Sequence, residues 1–275
     1  MCAPKVMDIV RRELSRRELF RLASGAALGG AALALSPRAA AQTGLQLGTL
    51  ADLTHTLSER FPVFPAFEPM RITTLVTVER DGFYANRWDL GEHSGTHMDA
   101  PAHFVAGAVT ADRVPLESLI VPLAVIDISE RANADPEATL TVEDIEAWEV
   151  AHGSLPAGAA VMMHSGWDAR VDEPASFLNA DESGVLRSPG FSPEAADFLV
   201  SERDISGIGV DTLSLDIGSS TTFEVHLTVL GAGKWGLEGV ANLRAVPAAG
   251  ATVIVGGPKV LDASGGPVRL MAAWA

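Results

Sequence analysis

The chain of 275 residues has one cysteine, one tyrosine and few aromatic residues of any kind, 6% in all. The single cysteine, Cys2, stands beside the initiator methionine. A disulfide within the chain, a thiolate metal site and a cysteine nucleophile are therefore excluded. Basic residues are also scarce: 20 Lys+Arg face 35 Asp+Glu, a formal net charge of −15. A surface this acidic repels phosphate, which excludes general nucleic-acid binding and adhesion to anionic membranes. What the chain does have is 47% hydrophobic residues, enough for one sizeable core. No repeat, low-complexity tract or long linker divides it, so residues 42–275 read as a single domain.

The first 41 residues differ in composition from the rest. Arg11, Arg12, Arg16, Arg17 and Arg21 crowd the start, and an uncharged stretch of Ala, Gly, Leu and Ser runs from Leu22 to Leu35. That stretch is too short to span a bilayer. Ala39-Ala40-Ala41 then offers small residues for cleavage. This is the layout of an export signal, and the Arg16-Arg17 pair with nearby Phe20 resembles a twin-arginine leader. The expectation is a periplasmic protein, exported folded, with no membrane attachment after cleavage.

Strands are expected at Leu50–Leu57, Arg71–Glu79, Phe83–Leu90, Pro122–Ile128, Ala159–His164, Ile205–Val210 and Ala251–Val255, with Val268–Ala272 as an edge. A turn at Asp81-Gly82 would join the second and third. Thr141, with Asp144 three residues on, caps a helix to about Val150. Ser192-Pro193 opens another to about Glu202. Ser219 to Thr222 would cap a third over Phe223–Leu230, stopped by Gly231 and Gly233. Many strands and few helices without strict alternation argue for a mixed α/β fold.

The chemistry concentrates in one segment. His93, His97 and His103 are three of the chain's seven histidines, and Asp99 lies among them. Gly95 and Pro101 oppose a helix here, so the segment reads as a tight loop around a cation. Two imidazoles and a carboxylate form a borderline-hard N,O site suited to zinc, manganese or iron, with positions left open for water and substrate. Phe64, Phe67, Trp88 and Trp167 are candidates to line an aromatic-substrate pocket.

His93-x-Gly95-Thr96-His97-x-Asp99-x-Pro101-x-His103-Phe104 resembles the signature of the metal-dependent cyclase-like hydrolase family, which includes bacterial kynurenine formamidases and isatin hydrolases. Asp52-Leu53-Thr54-His55-Thr56-Leu57, His164-Ser165-Gly166-Trp167 and Gly209-Val210-Asp211-Thr212-x-Ser214-x-Asp216 resemble further family segments. The resemblance runs from about Asp52 to Val260. It implies a swivelling β/β/α domain that assembles as homodimers or homotetramers. It also implies one or two divalent ions, zinc or manganese. His93, His97 and Asp99 would hold the first, and Asp99 would bridge to a second held by His226 and Glu238.

The implied reaction is hydrolysis of an amide C–N bond in an aryl formamide or cyclic amide. Metal-activated water would attack, with His103 as the acid/base. Two other readings stand beside it: a periplasmic metal- or solute-binding protein without turnover, and a non-hydrolytic cyclase.

Overall fold

Apolar runs bounded by turn residues become the strands at the centre of the molecule. The computed structural model describes residues 48–275, so the expected leader lies outside the described residues. The chain begins β1 (Thr49–Asp52), β2 (Arg71–Val76), α1 (Val78–Asp81), β3 (Ala85–Asp89), β4 (His97–Asp99), β5 (Ile120–Asp127) and α2 (Ser129–Ala134). It continues β6 (Thr139–Leu140), α3 (Val142–His152), β7 (Ala159–His164), α4 (Pro174–Leu178), β8 (Gly190–Phe191), α5 (Pro193–Ser201) and β9 (Ile205–Val210). Last come α6 (Glu224–Gly231), β10 (Trp235–Glu238), β11 (Ala251–Gly256), β12 (Gly265–Pro267) and β13 (Arg269–Trp274).

Nine strands form one mixed sheet in the order β1-β13-β11-β5-β7-β9-β10-β4-β12. Its centre, β5, β7, β9 and β10, is parallel, and both wings are antiparallel. The mixed α/β class is therefore as expected. Alternation along the strands splits the interior in two. Ala124, Ile126, Val161 and Met163 pack with Ile145, Leu199 and Val229 of the helices. Leu123, Val125, Ala160, Met162, Met98 and Leu237 point to the other face, against Val253 and Leu270. Each fully buried aliphatic side chain contributes about 1.5–3 kcal/mol.

Several sequence expectations are corrected. Arg71–Glu79 and Phe83–Leu90 do pair as a hairpin, but one helical turn joins them instead of a two-residue turn. The Thr77 side chain accepts from the Arg80 amide and Gly82, at φ 79°, closes the turn. Residues 97–99 are a strand and not part of a loop, held between β10 and β12. Val268–Ala272 overlaps β13, inside the sheet between β1 and β11, so the edges are β1 and β12 instead. The capping box of α3 at Thr141 and Asp144 forms in both directions. The cap of α6 does not use the side chains of residues 219–222 on its first turn. The Asp216 carboxylate accepts from the amides of Val225 and His226 instead.

Candidate metal centre

Sheet register brings the ligand candidates together. His97 on β4 lies directly opposite Glu238 on β10, and Asp99, two residues along, projects to the same face. Met98 and Leu237, opposite each other, turn the other way into the core. The αL turn at Gly95, φ 72°, brings the chain from His93 into β4; a β-branched residue would be strained there. His226 comes from the first turns of α6, anchored from below by Asp216.

The result is a buried cluster around one carboxylate. His93 Nδ1 lies 2.6 Å from Asp99 Oδ1, and His97 Nε2 lies 3.4 Å from the same oxygen. His226 Nε2 is 3.6 Å from Asp99 Oδ2 and 3.0 Å from Glu238 Oε1. His97 Nε2 is 3.3 Å from Glu238 Oε2. All five residues are at most 7% exposed. Two groups of ligand atoms fall within 4.8 Å of one another, His93–Asp99–His103 and His97–Asp99–Glu238, and they share Asp99.

The hydrogen-bond inventory fits a cation. His97 Nδ1 donates to the Gly95 carbonyl at 3.0 Å, which leaves Nε2 as a lone pair aimed at two carboxylates. That Nε2 and Asp99 Oδ2 are buried without hydrogen-bond partners, an arrangement that costs free energy unless an ion takes them up. His226 Nδ1 donates to Asp216 Oδ2 at 2.6 Å, the pattern by which outer carboxylates orient metal-binding imidazoles. Burial works against a charged His97, but the Asp99 and Glu238 carboxylates outweigh it and push it up to about 10. Burial likewise opposes the ionised form of Asp99, and the imidazoles of His226, His93 and His97 that face it still hold it well below the usual carboxylate range.

His103 sits differently. Pro101 starts a short 3-10 turn that lays its ring on His93, with centroids 3.7 Å apart and planes 21° apart. It is half-buried. Burial is the main cause that lowers it to about 4, with His93 and His226 adding to the effect against Asp99. Its imidazole is therefore neutral at pH 7.

A cavity of about 150 Å³ opens over the cluster, lined by Phe64, Phe67, Phe104, Leu213 and Phe223 beside the histidines. Phe223 holds φ at 53°, a conformation rare for a bulky residue. Of the aromatic residues singled out in the sequence, Phe64 and Phe67 line this cavity. Trp88 does not: it stands 67% exposed on β3. Trp167 is not in the cavity wall either. It is buried with Phe177 and Leu213, and its Nε1 donates to the Phe177 carbonyl at 2.8 Å.

A larger, open cleft of about 1090 Å³ lies beside His55, His164 and Asp168. His164, Asp168 and Asp211 approach one another there. Asp211 is already committed, however: it accepts from the Ser165 hydroxyl and from the amides of Ser165, Gly166 and Trp167. It holds that loop closed. The residues that sequence reasoning missed are Ser264, which reaches His93, Glu92, which reaches Ser264, and Phe223 in the cavity wall.

Comparison with known proteins agrees with this geometry. The Cyclase family model matches residues 51–217. The chain is 40% identical over 204 residues to an isatin hydrolase of Roseibium aggregatum, covering 70% of this chain and 77% of that protein. It is 26% identical over 222 residues to a kynurenine formamidase of Salinibacter ruber, covering 80% and 95%. The solved structure of isatin hydrolase A from Ralstonia solanacearum superposes with a TM-score of 0.78 at 34% identity, covering 82% of this chain and 92% of that one. Fold, site geometry and sequence thus converge: the chain belongs to the cyclase family of metal-dependent hydrolases.

Proposed function

We propose that this protein hydrolyses the amide C–N bond of a small, flat aromatic substrate at a divalent-metal centre, a cyclic amide of the isatin type ahead of an aryl formamide. One observation carries the reading: three imidazoles and Glu238 converge on Asp99 in a buried site where His97 Nε2 and Asp99 Oδ2 have no hydrogen-bond partner. His93, His97 and Asp99 would hold one ion, and His226 with Glu238 would hold a second. Support for the bridging role comes from Asp99 itself, whose Oδ1 faces His93 and His97 while Oδ2 faces His226. Three nitrogens and two carboxylates without thiolate suit zinc or manganese.

A divalent ion held by these residues would supply a water acidic enough to attack at neutral pH and would polarise the substrate carbonyl. The protein's own part is positioning and proton transfer. His103, neutral at working pH, takes the proton released as water adds to the carbonyl carbon. It returns that proton to the nitrogen as the C–N bond breaks, so a cyclic amide opens to one product that carries both the new carboxyl group and the amine.

The four phenylalanine rings of the cavity suit a flat ring system, and a volume of about 150 Å³ suits one of small size. No Lys or Arg lines that cavity among the described residues. The charged amino-acid tail of N-formylkynurenine would therefore meet no cationic partner, whereas isatin carries no such tail.

Export by a twin-arginine route to the periplasm completes the proposal, supported by Arg16-Arg17 and the uncharged stretch after them. So does assembly as a homodimer or homotetramer, supported by the exposed apolar residues Ile72, Leu75, Phe83, Tyr84 and Trp88 around the β2–β3 hairpin. Among the described residues no helix is long and apolar enough to cross a membrane.

The test is to incubate metal-loaded protein with isatin and with N-formylkynurenine, following ring opening and formate release. Isatin turnover that a chelator abolishes is expected. Turnover of neither amide by protein that carries metal would favour a binding protein without turnover.

A further inference from the structure

The three histidines around Asp99 do not present the same nitrogen. His97 and His226 each give Nδ1–H to an acceptor, the Gly95 carbonyl and Asp216, and turn Nε2 inward. His93 is reversed: its Nδ1 faces Asp99 Oδ1 at 2.6 Å and its Nε2 faces Ser264 Oγ at 3.0 Å. Proton bookkeeping beyond Ser264 decides which ring nitrogen of His93 carries hydrogen. The Glu92 carboxylate lies 2.5 Å from Ser264 Oγ and 3.0 Å from the Ser264 amide. An ionised carboxylate only accepts hydrogen bonds, and a serine hydroxyl has one proton to give. That proton goes to Glu92, so Ser264 Oγ is left as an acceptor and His93 Nε2 must be the donor. His93 Nδ1 is then a bare lone pair directed at Asp99, and two acceptors 2.6 Å apart need a positive charge between them.

Packing fixes the ring in the same orientation. A Cβ on Gly265 would stand 2.7 Å from His93 Cε1 and 3.2 Å from its Nδ1, so the glycine backbone presses on the imidazole edge. The His103 ring stacks on His93. The Ser264 carbonyl in turn accepts from the Ala100 amide at 2.9 Å, which ties the clamp to the end of β4.

We propose that Glu92 and Ser264 are positioning residues for the metal centre: together they select the His93 tautomer that offers Nδ1, not Nε2, to the ion. The inference rests on the metal-centre reading above. Ser264 is remote from the other site residues in sequence, and Glu92 is exposed at the rim. Neither is required to touch substrate.

The experiment measures zinc affinity by competition with a chromophoric chelator for the full mature protein and for Ser264→Ala, Glu92→Ala and Ser264→Thr, with thermal melting alongside. Ser264→Ala and Glu92→Ala should each weaken zinc binding about 10- to 100-fold, the usual effect of removing a group behind a ligand. Ser264→Thr, which keeps the hydroxyl, should recover most of it. Affinities for the two alanine variants within twofold of the parent, in protein that melts normally, would overturn the relay. Should a variant fail to fold, a crystal structure of the zinc-loaded parent decides instead: zinc on His93 Nδ1 is expected, and zinc on His93 Nε2 would reject the proposal. A parent that binds neither zinc nor manganese would refute the metal-centre reading, an outcome distinct from either.

Discussion

His97 and Glu238 are 141 positions apart in the chain yet directly opposite each other on β4 and β10, with Nε2 3.3 Å from Oε2. Their pairing makes the proposed two-ion arrangement depend on strand register. A one-residue slip of β4 would send His97 and Asp99 into the apolar core and Met98 into the site.

The second ion should therefore depend on the carboxylate that β10 supplies. Glu238→Gln keeps the shape and removes the charge. Metal content measured by plasma emission should fall from two toward one per chain. Unchanged stoichiometry would show that Glu238 is not a ligand.

Protons and metal compete for the same lone pairs, which gives a pH signature. His97 is raised on folding to about 10 against burial, because Asp99 and Glu238 face it. A group raised in this way stabilises the fold fully below its unfolded value, ~6.5, and that contribution is lost as pH rises through the folded value. Metal-free protein should thus lose melting temperature steadily from pH ~6.5 to ~10. Metal-loaded protein should be nearly flat over the same range. Equal slopes with and without metal would contradict the account.

His103 separates chemistry from binding. Its ring stacks on His93 but makes no hydrogen bond to the cluster. His103→Ala should keep its metal and roughly its KM while kcat for an amide falls by about 10²–10⁴. An activated aryl ester, whose leaving group needs little protonation, should suffer less. Loss of metal in this variant would make His103 a ligand.

The two tryptophans should part company. Trp167→Ala removes a fully buried ring and its hydrogen bond and should cost about 3–5 kcal/mol in urea unfolding. Trp88→Ala should change unfolding by no more than ~0.5 kcal/mol at low protein concentration. Equal losses would mean that Trp88 is packed in the isolated chain.

How much of this was legible in the sequence follows from contact distance. His93, His97 and Asp99 are close along the chain, so their spacing alone marked a cation site. His226 and Glu238 could be connected to them only through resemblance, because β4 and β10 are short and nothing local announces their pairing. Ser264 carries no signal: it is one serine in a glycine-rich turn, and its partners are Glu92 and His93, more than 170 positions away. The capping box at Thr141 was readable because it closes within four residues. Hydrophobicity could not tell Trp167 from Trp88, since burial of a ring depends on what packs over it. The strand at residues 97–99 was hidden by flanking glycine and proline, which favour a loop when neighbours are unknown.

The central claim is that Asp99 and the four groups around it hold metal that catalysis requires. The most direct measurement is isatin hydrolysis by protein stripped with a chelator and then titrated with manganese or zinc, with bound metal counted at each point. The account expects no turnover without metal, and activity that rises with occupancy to a plateau at one or two ions per chain. Full turnover by metal-free protein, or activity unrelated to occupancy, would contradict it.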